Sequence, residues 1–161
     1  MEDNFSKKGN KMLDKDTFKI VVDSTPLISI DLIVRDGENV LLGKRINKPA
    51  QGYYFTMGGR IYKNETIKEA ISRIAKDELG ISSRIDPKFI GIFEHIYPDS
   101  IFEDVSTHYI NMGYELNLSL TTIDIPHDQH SDYTWMSVDT LLKTDKVHEN
   151  VKLYFKNKEE K

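Results

Sequence analysis

Residues 58–81, GGRIYKNETIKEAISRIAKDELGI, constrain the fold more than any other stretch of this chain. Two adjacent glycines open it, which suits a loop whose backbone approaches a ligand closely. Thr66-Ile67-Lys68-Glu69 then has the form of a helix capping box. Ile67, Ala70, Ile71 and Ile74 recur at helical spacing, so the predicted helix has an apolar face. Gly80 follows the last turn, where a left-handed cap favours glycine. Glu78 is out of place on this helix. At about 100° per residue it projects roughly 20° from Ile67, between Ile71 and Ile74, and so prolongs the apolar stripe. Such a carboxylate either turns out to water at the helix end or needs a cation or hydrogen-bond donors, because an isolated buried charge is very costly.

The rest of the chain is read around that stretch. Its 161 residues give length for one domain with a real core. We place a loose polar leader at residues 1–13 and a single domain at 14–158. There are no cysteines, which excludes disulfides and thiolate metal sites and fits a cytoplasmic protein. No apolar run is long enough to span a membrane. The net charge of -4 argues against a general nucleic-acid binder. Against that background an anionic substrate needs local Arg or Lys.

Residues 14–23 predict a short helix with Phe18, Val21 and Val22 on one side, stopped by Thr25-Pro26. Residues 27–34 and 39–44 predict a β-hairpin about the Asp36-Gly37 turn. Asp31 interrupts the first of these strands, either as a solvent-facing charge on an edge strand or as part of a site. A Pro- and Gly-containing loop follows Arg45, and residues 53–57 predict a short aromatic strand leading to Gly58. Arg45 and Arg60 flank this loop. Each alone reads as a solvated surface charge, but together beside exposed backbone amides they suit a phosphate. Strands are predicted near residues 87–95 and 107–118, and the second contains Tyr109, a residue type usually found in the core or at a hydrogen-bonded edge. Residues 125–132, IPHDQHSD, place several potential ligands or proton-transfer groups in a polar loop that taken alone reads as solvated. A strand with Trp135 and two short helices complete the chain.

Residues 58–81 resemble the Nudix box, in which Gly, five residues, Glu, seven residues and an Arg-Glu-apolar-x-Glu-Glu-x-Gly-apolar run recur. Gly59, Glu65, Arg73, Glu78, Gly80 and Ile81 fall on that pattern, whereas Ile74 and Asp77 replace two of its glutamates. Ile74 cannot bind a metal and Asp77 points away from Glu78, so a single ion is expected in place of a multi-metal site. The resemblance extends over roughly residues 18–155. Within the family, STPLISIDLIV, LLGKRINKPAQGYYF, EHIYPD, THY and PHDQHSDYTWMSVDTLL are similar to the mannosyl hydrolases that act on GDP-mannose.

That resemblance implies an α/β fold, a Nudix α/β/α sandwich with a mixed β-sheet flanked by helices. It implies release of GDP and free sugar by inverting water attack at the anomeric carbon of GDP-mannose or a related GDP-hexose. By matching positions, Gly58 (backbone carbonyl), Glu78 and Gln129 would hold one Mg²⁺ per subunit, with Mn²⁺ as a substitute. Arg45, Arg60 and Tyr109 would contact the diphosphate, Asp31 would lie near the sugar, and His130 would be the general base. Arg73 would orient box carboxylates, and His95 and Tyr97 would lie in the site region. A homodimer is implied as well. Two other readings remain: a conventional pyrophosphatase cutting P–O, and a non-catalytic nucleotide-sugar sensor.

Overall fold

The computed structural model describes residues 13–119 and 130–156. In chain order the elements are α1 (Lys15–Ser24), β1 (Leu27–Asp36), β2 (Asn39–Arg45), β3 (Tyr54–Phe55), β4 (Met57–Arg60), α2 (Ile67–Leu79), β5 (Lys88–Tyr97), β6 (Thr107–Asn117), β7 (His130–Ser137), α3 (Val138–Lys143) and α4 (Glu149–Lys156). Helix α1 starts at Asp14, whose carboxylate accepts a hydrogen bond from the Thr17 backbone N–H at 2.9 Å, and ends at Thr25, before the proline. Leu13 packs beside its buried Phe18 and Val22.

The predicted hairpin forms, but β1 and β2 pair only at its closed end, through Arg35 with Val40 and Asp36 with Asn39. Beyond that point they part. β4 pairs antiparallel with β1, while β3 and β7 pair with β2. The stretch at 53–57, predicted as one strand, is therefore two, broken at Thr56 because its halves serve different partners. On its other side β1 runs parallel to β6, and β5 closes the sheet beside β6. The sheet is mixed, and β1 is central. Asp31 consequently does not sit on an edge strand facing water; it is buried.

Alternation along β1 separates two cores. Ile30, Leu32 and Val34 pack with Ala70, Ile71, Ile74, Ala75 and Leu79 of α2. Ile33, on the opposite face, packs with Leu141 of α3 and with Val151, Tyr154 and Phe155 of α4. The layers are thus helix, mixed sheet, helix, as the resemblance implies. Trp135 is partly buried against the α2 side. Ile67 departs from its predicted place on the apolar face: it is 44% exposed, because it begins α2 and the buried positions start at Ala70. Among the described residues, no helix is long and apolar enough to cross a membrane.

Candidate active site

Helix α2 is anchored at both ends as its sequence requires. Thr66 accepts from the Glu69 backbone N–H at 3.2 Å, and Glu69 returns the bond to the Thr66 N–H at 2.8 Å. Gly80 closes the helix at φ 66°, in the left-handed region. Between these caps, Arg73 fixes the loop that precedes the helix. Its Nε and Nη2 donate to the two oxygens of Glu65 at 2.7 and 2.9 Å, and Nη2 also donates to the Arg60 carbonyl at 2.7 Å. The guanidinium lies 3.9 Å from the Tyr62 ring centroid. Burial pushes the Glu65 carboxyl up, but Arg73 and the Tyr62 N–H outweigh it and hold its pKa below the ordinary value. Arg73 is thus a structural clamp on the box.

The three positions that separate a one-carboxylate box from a richer one are resolved by burial. Ile74 is in the core and Asp77 is exposed. Glu78 is only 5% exposed, so it does not turn out to water. Packing requires glycine at 58 and is tight at 59. A Cβ on Gly59 would lie 3.2 Å from Ile74 Cγ1, and one on Gly58 would overlap the Asp31 carboxylate and sit 2.6 Å from the Ile30 carbonyl oxygen. β4 is in this way wedged between β1 and α2, with Asp31 directly opposite Gly58 in the register.

The face of β1 that carries Asp31 gathers four of the eight predicted site residues: Asp31, Arg45, Arg60 and Tyr109. The Tyr154 hydroxyl of α4 donates a short hydrogen bond to Asp31 Oδ2. Burial drives the Asp31 carboxyl up from an ordinary 3.8 to about 6, while the Tyr154 and Thr56 hydroxyls and the Arg45 charge pull the other way. Arg45 donates through Nε to the Pro49 carbonyl at 2.7 Å and packs 5.9 Å from the Phe55 ring centroid. Arg60 lies 4.2 Å from the Phe18 ring centroid, so α1 shelters it. Burial lowers its pKa. Burial raises the Tyr109 pKa, and the charges of Arg45 and Arg60 oppose the rise. Tyr109 therefore feels the charges of Arg45, Arg60 and Asp31, and Asp31 feels that of Arg45. His95 and Tyr97 of β5 are buried on the same face.

The backbone of His130 pairs with that of Arg45 at the start of β7, which puts its strand beside this face. Gln129 and the His130 side chain lie outside the described residues. Among the described residues, no three His, Asp or Glu side chains converge as a metal cluster. Sequence reasoning missed Tyr154, which reads as one more apolar-face residue of α4. It also missed Ser29 and Asn111, both buried on the Asp31 face. The signal for Ser29 and Asn111 was a period of two, one step from Asp31 and one from Tyr109. No local signal marks Tyr154.

A sheet split around a glycine pair, with an Arg-clamped loop leading into a helix that buries one carboxylate, defines a hydrolase scaffold of known type. The NUDIX domain model matches residues 25–156, and the chain belongs to that family of hydrolases. It is 37% identical over 129 residues to the low-salt glycan biosynthesis protein Agl8 of Haloferax volcanii, covering 80% of this chain and 81% of that protein. It is 28% identical over 114 residues to an ADP-ribose pyrophosphatase of Methanocaldococcus jannaschii, covering 71% of this chain and 63% of that protein. The fold is similar to that of the MutT protein from Methanosarcina mazei Go1, with a TM-score of 0.65, 20% identity, and coverage of 82% of this chain and 92% of the other.

Proposed function

We propose that this hydrolase cleaves GDP-mannose, or a closely related GDP-hexose, to GDP and free sugar by attack of water at the anomeric carbon. The observation that carries the reading is the division of carboxylates between two places. Glu65 is held by Arg73 and Asp77 is exposed, leaving Glu78 as the buried carboxylate of the box. A second buried carboxylate, Asp31, lies off the box among arginines and tyrosines. That distribution suits a substrate with an anionic end and a carbon centre that gains positive charge.

Nudix hydrolases generally use divalent ions such as Mg²⁺ or Mn²⁺. The donors present are hard oxygens and suit one such ion: the Glu78 carboxylate, the Gly58 carbonyl and the Gln129 side chain would hold it. When bound, the ion would neutralise charge gathering on the diphosphate. Arg45 and Arg60 hold the diphosphate through fixed guanidinium donors, and Tyr109 donates a hydrogen bond to it. Asp31, ionised above about pH 6, faces the sugar and stabilises oxocarbenium-like charge. His130 accepts a proton from the attacking water, and an imidazole is suited to that near neutral pH. The likeness to a glycan biosynthesis protein agrees with a sugar nucleotide as substrate.

Incubation with GDP-mannose and Mg²⁺ in heavy-oxygen water tests the reading. We expect GDP and mannose, with the label on the sugar. GMP and mannose 1-phosphate, with label on phosphate, would replace it with the P–O cleavage of a conventional pyrophosphatase, the activity in the name of the 28% identical relative. Binding without turnover would make the protein a sensor. His130→Gln should lower turnover by roughly 10²-fold or more and abolish its pH dependence near neutrality. We also propose a homodimer. Support comes from edge strand β5, where Ile92 and Ile96 are 67% and 61% exposed, since long apolar edges are normally covered. Sedimentation as a monomer at micromolar concentration would remove that proposal.

A further inference from the structure

Three buried polar side chains lie in a row across three strands of the Asp31 face: Ser29 on β1, Asn111 on β6 and His95 on β5. Ser29 and Asn111 are register partners in the parallel pair. The Ser29 hydroxyl donates a short hydrogen bond to Asn111 Oδ1, and Asn111 Nδ2 lies 2.6 Å from His95 Nδ1. The amide orientation sets the ring's protons, and in this placement Oδ1 faces the serine and Nδ2 the imidazole. The amide nitrogen has only hydrogens to offer, so Nδ1 must present its lone pair. A neutral imidazole then carries its hydrogen on Nε2. Burial, with a smaller contribution from His148, lowers the His95 pKa to about 4, so the ring is neutral at physiological pH.

The His95 Nε2 hydrogen is buried and has no acceptor among the described residues; the residue is only 1% exposed. A buried donor left unmatched is costly, and a donor matched by a ligand is not. His95 also stands inside the site's own framework. Its ring centroid is 5.7 Å from that of Tyr154, which holds Asp31, and 6.4 Å from that of Tyr97. In the register it sits opposite Tyr109.

We propose that Asn111, held by Ser29, is a positioning residue that locks His95 in the Nε2–H form, making His95 a standing hydrogen-bond donor to an oxygen of the bound nucleotide sugar and not a base. The identity of that oxygen's owner rests on the function proposed above; the tautomer does not. A carboxylate in place of the amide has nothing to donate. Asn111→Asp would keep the bond from Ser29 but require the proton on Nδ1, so that in the neutral ring Nε2 becomes an acceptor of nearly unchanged position.

The test is two-bond proton–nitrogen correlation NMR on protein labelled with ¹⁵N in its histidine rings, at neutral pH, with and without GDP-mannose. We expect the Nε2–H pattern for His95 in the natural protein and the Nδ1–H pattern in Asn111→Asp. Finding Nδ1–H in the natural protein would overturn the proposal whatever the enzyme's substrate. Addition of GDP-mannose should shift the His95 Nε2–H signal, and Asn111→Asp should weaken GDP-mannose binding roughly tenfold or more, as expected when a buried polar group faces the wrong partner. A flipped tautomer with unchanged affinity and turnover would overturn the donor role. If Asn111→Asp does not fold, Ser29→Ala serves: freed from its serine, the amide should turn, giving a mixture of both His95 forms. A single unchanged Nε2–H form there would remove Ser29 from the device.

Discussion

Replacing Asp31 with Asn should make the metal-free protein more stable at neutral pH while removing its activity. In the fold, burial raises the Asp31 carboxyl from an ordinary 3.8 to about 6. Between those values the folded protein keeps a proton that the unfolded chain has released. Stability from this group is therefore complete below 3.8 and is lost as pH rises through about 6. A difference of this size corresponds to about 3 kcal/mol at neutral pH. Asparagine carries no charge to desolvate, and its side-chain oxygen can still accept from Tyr154. Urea denaturation in EDTA, at pH values from roughly 4 to 8, would isolate the effect from bound metal, since a cation favours the carboxylate. The two proteins should be about equally stable at the acid end and diverge by up to about 3 kcal/mol at the other. Contributions from other carboxylates cancel in the comparison. A variant that is less stable throughout, or a difference that ignores pH, would show that Asp31 is not held against a desolvation cost.

Gly58→Ala puts a methyl group where the Asp31 carboxylate and Ile30 carbonyl stand, so β4 must shift. A loss of about 1–3 kcal/mol is expected in thermal or urea unfolding, and a tolerated alanine would contradict the register of β1 with β4. Arg73→Ala takes the guanidinium from the Arg60 carbonyl and from Glu65, which keeps only the Tyr62 N–H, and should cost about 3 kcal/mol at neutral pH. Because Glu65 is held below its ordinary pKa, that penalty should shrink as pH falls through the carboxylate range; a penalty constant with pH would argue against the ion pair. Glu78→Gln should raise the Mg²⁺ concentration needed for half-maximal turnover by tenfold or more, measured by activity titration after EDTA treatment. An unaltered metal requirement would take Glu78 out of the ligand set.

The box was legible because its geometry is local. Capping at Thr66, the left-handed turn at Gly80 and the buried stripe through Glu78 all follow from residues within one helix. The two arginines flanking a loop were legible as a pair for the same reason. The central position of β1 was not. A strand bearing one aspartate looks the same at an edge or in the middle until its partners are known, and β6 comes some eighty residues later: Ser29 bonds Asn111 across 82 positions. The break between β3 and β4 was hidden for a related reason, since Tyr54 and Met57 differ in partner strand and not in character. Ser29, Asn111 and His95 form a device only once three strands are in register.

Tyr154 and Asp31 are joined across 123 positions of the chain. During synthesis the aspartate must therefore wait for nearly the whole domain to leave the ribosome before its partner exists. Until the last helix docks, the emerging protein holds an unescorted carboxylate in its middle strand, free to stay wet. A premature stop or a proteolytic nick ahead of residue 154 would leave a chain that keeps residues 58–81 but lacks the hydroxyl bonded to Asp31, so α4 completes the surroundings of a strand made near the start.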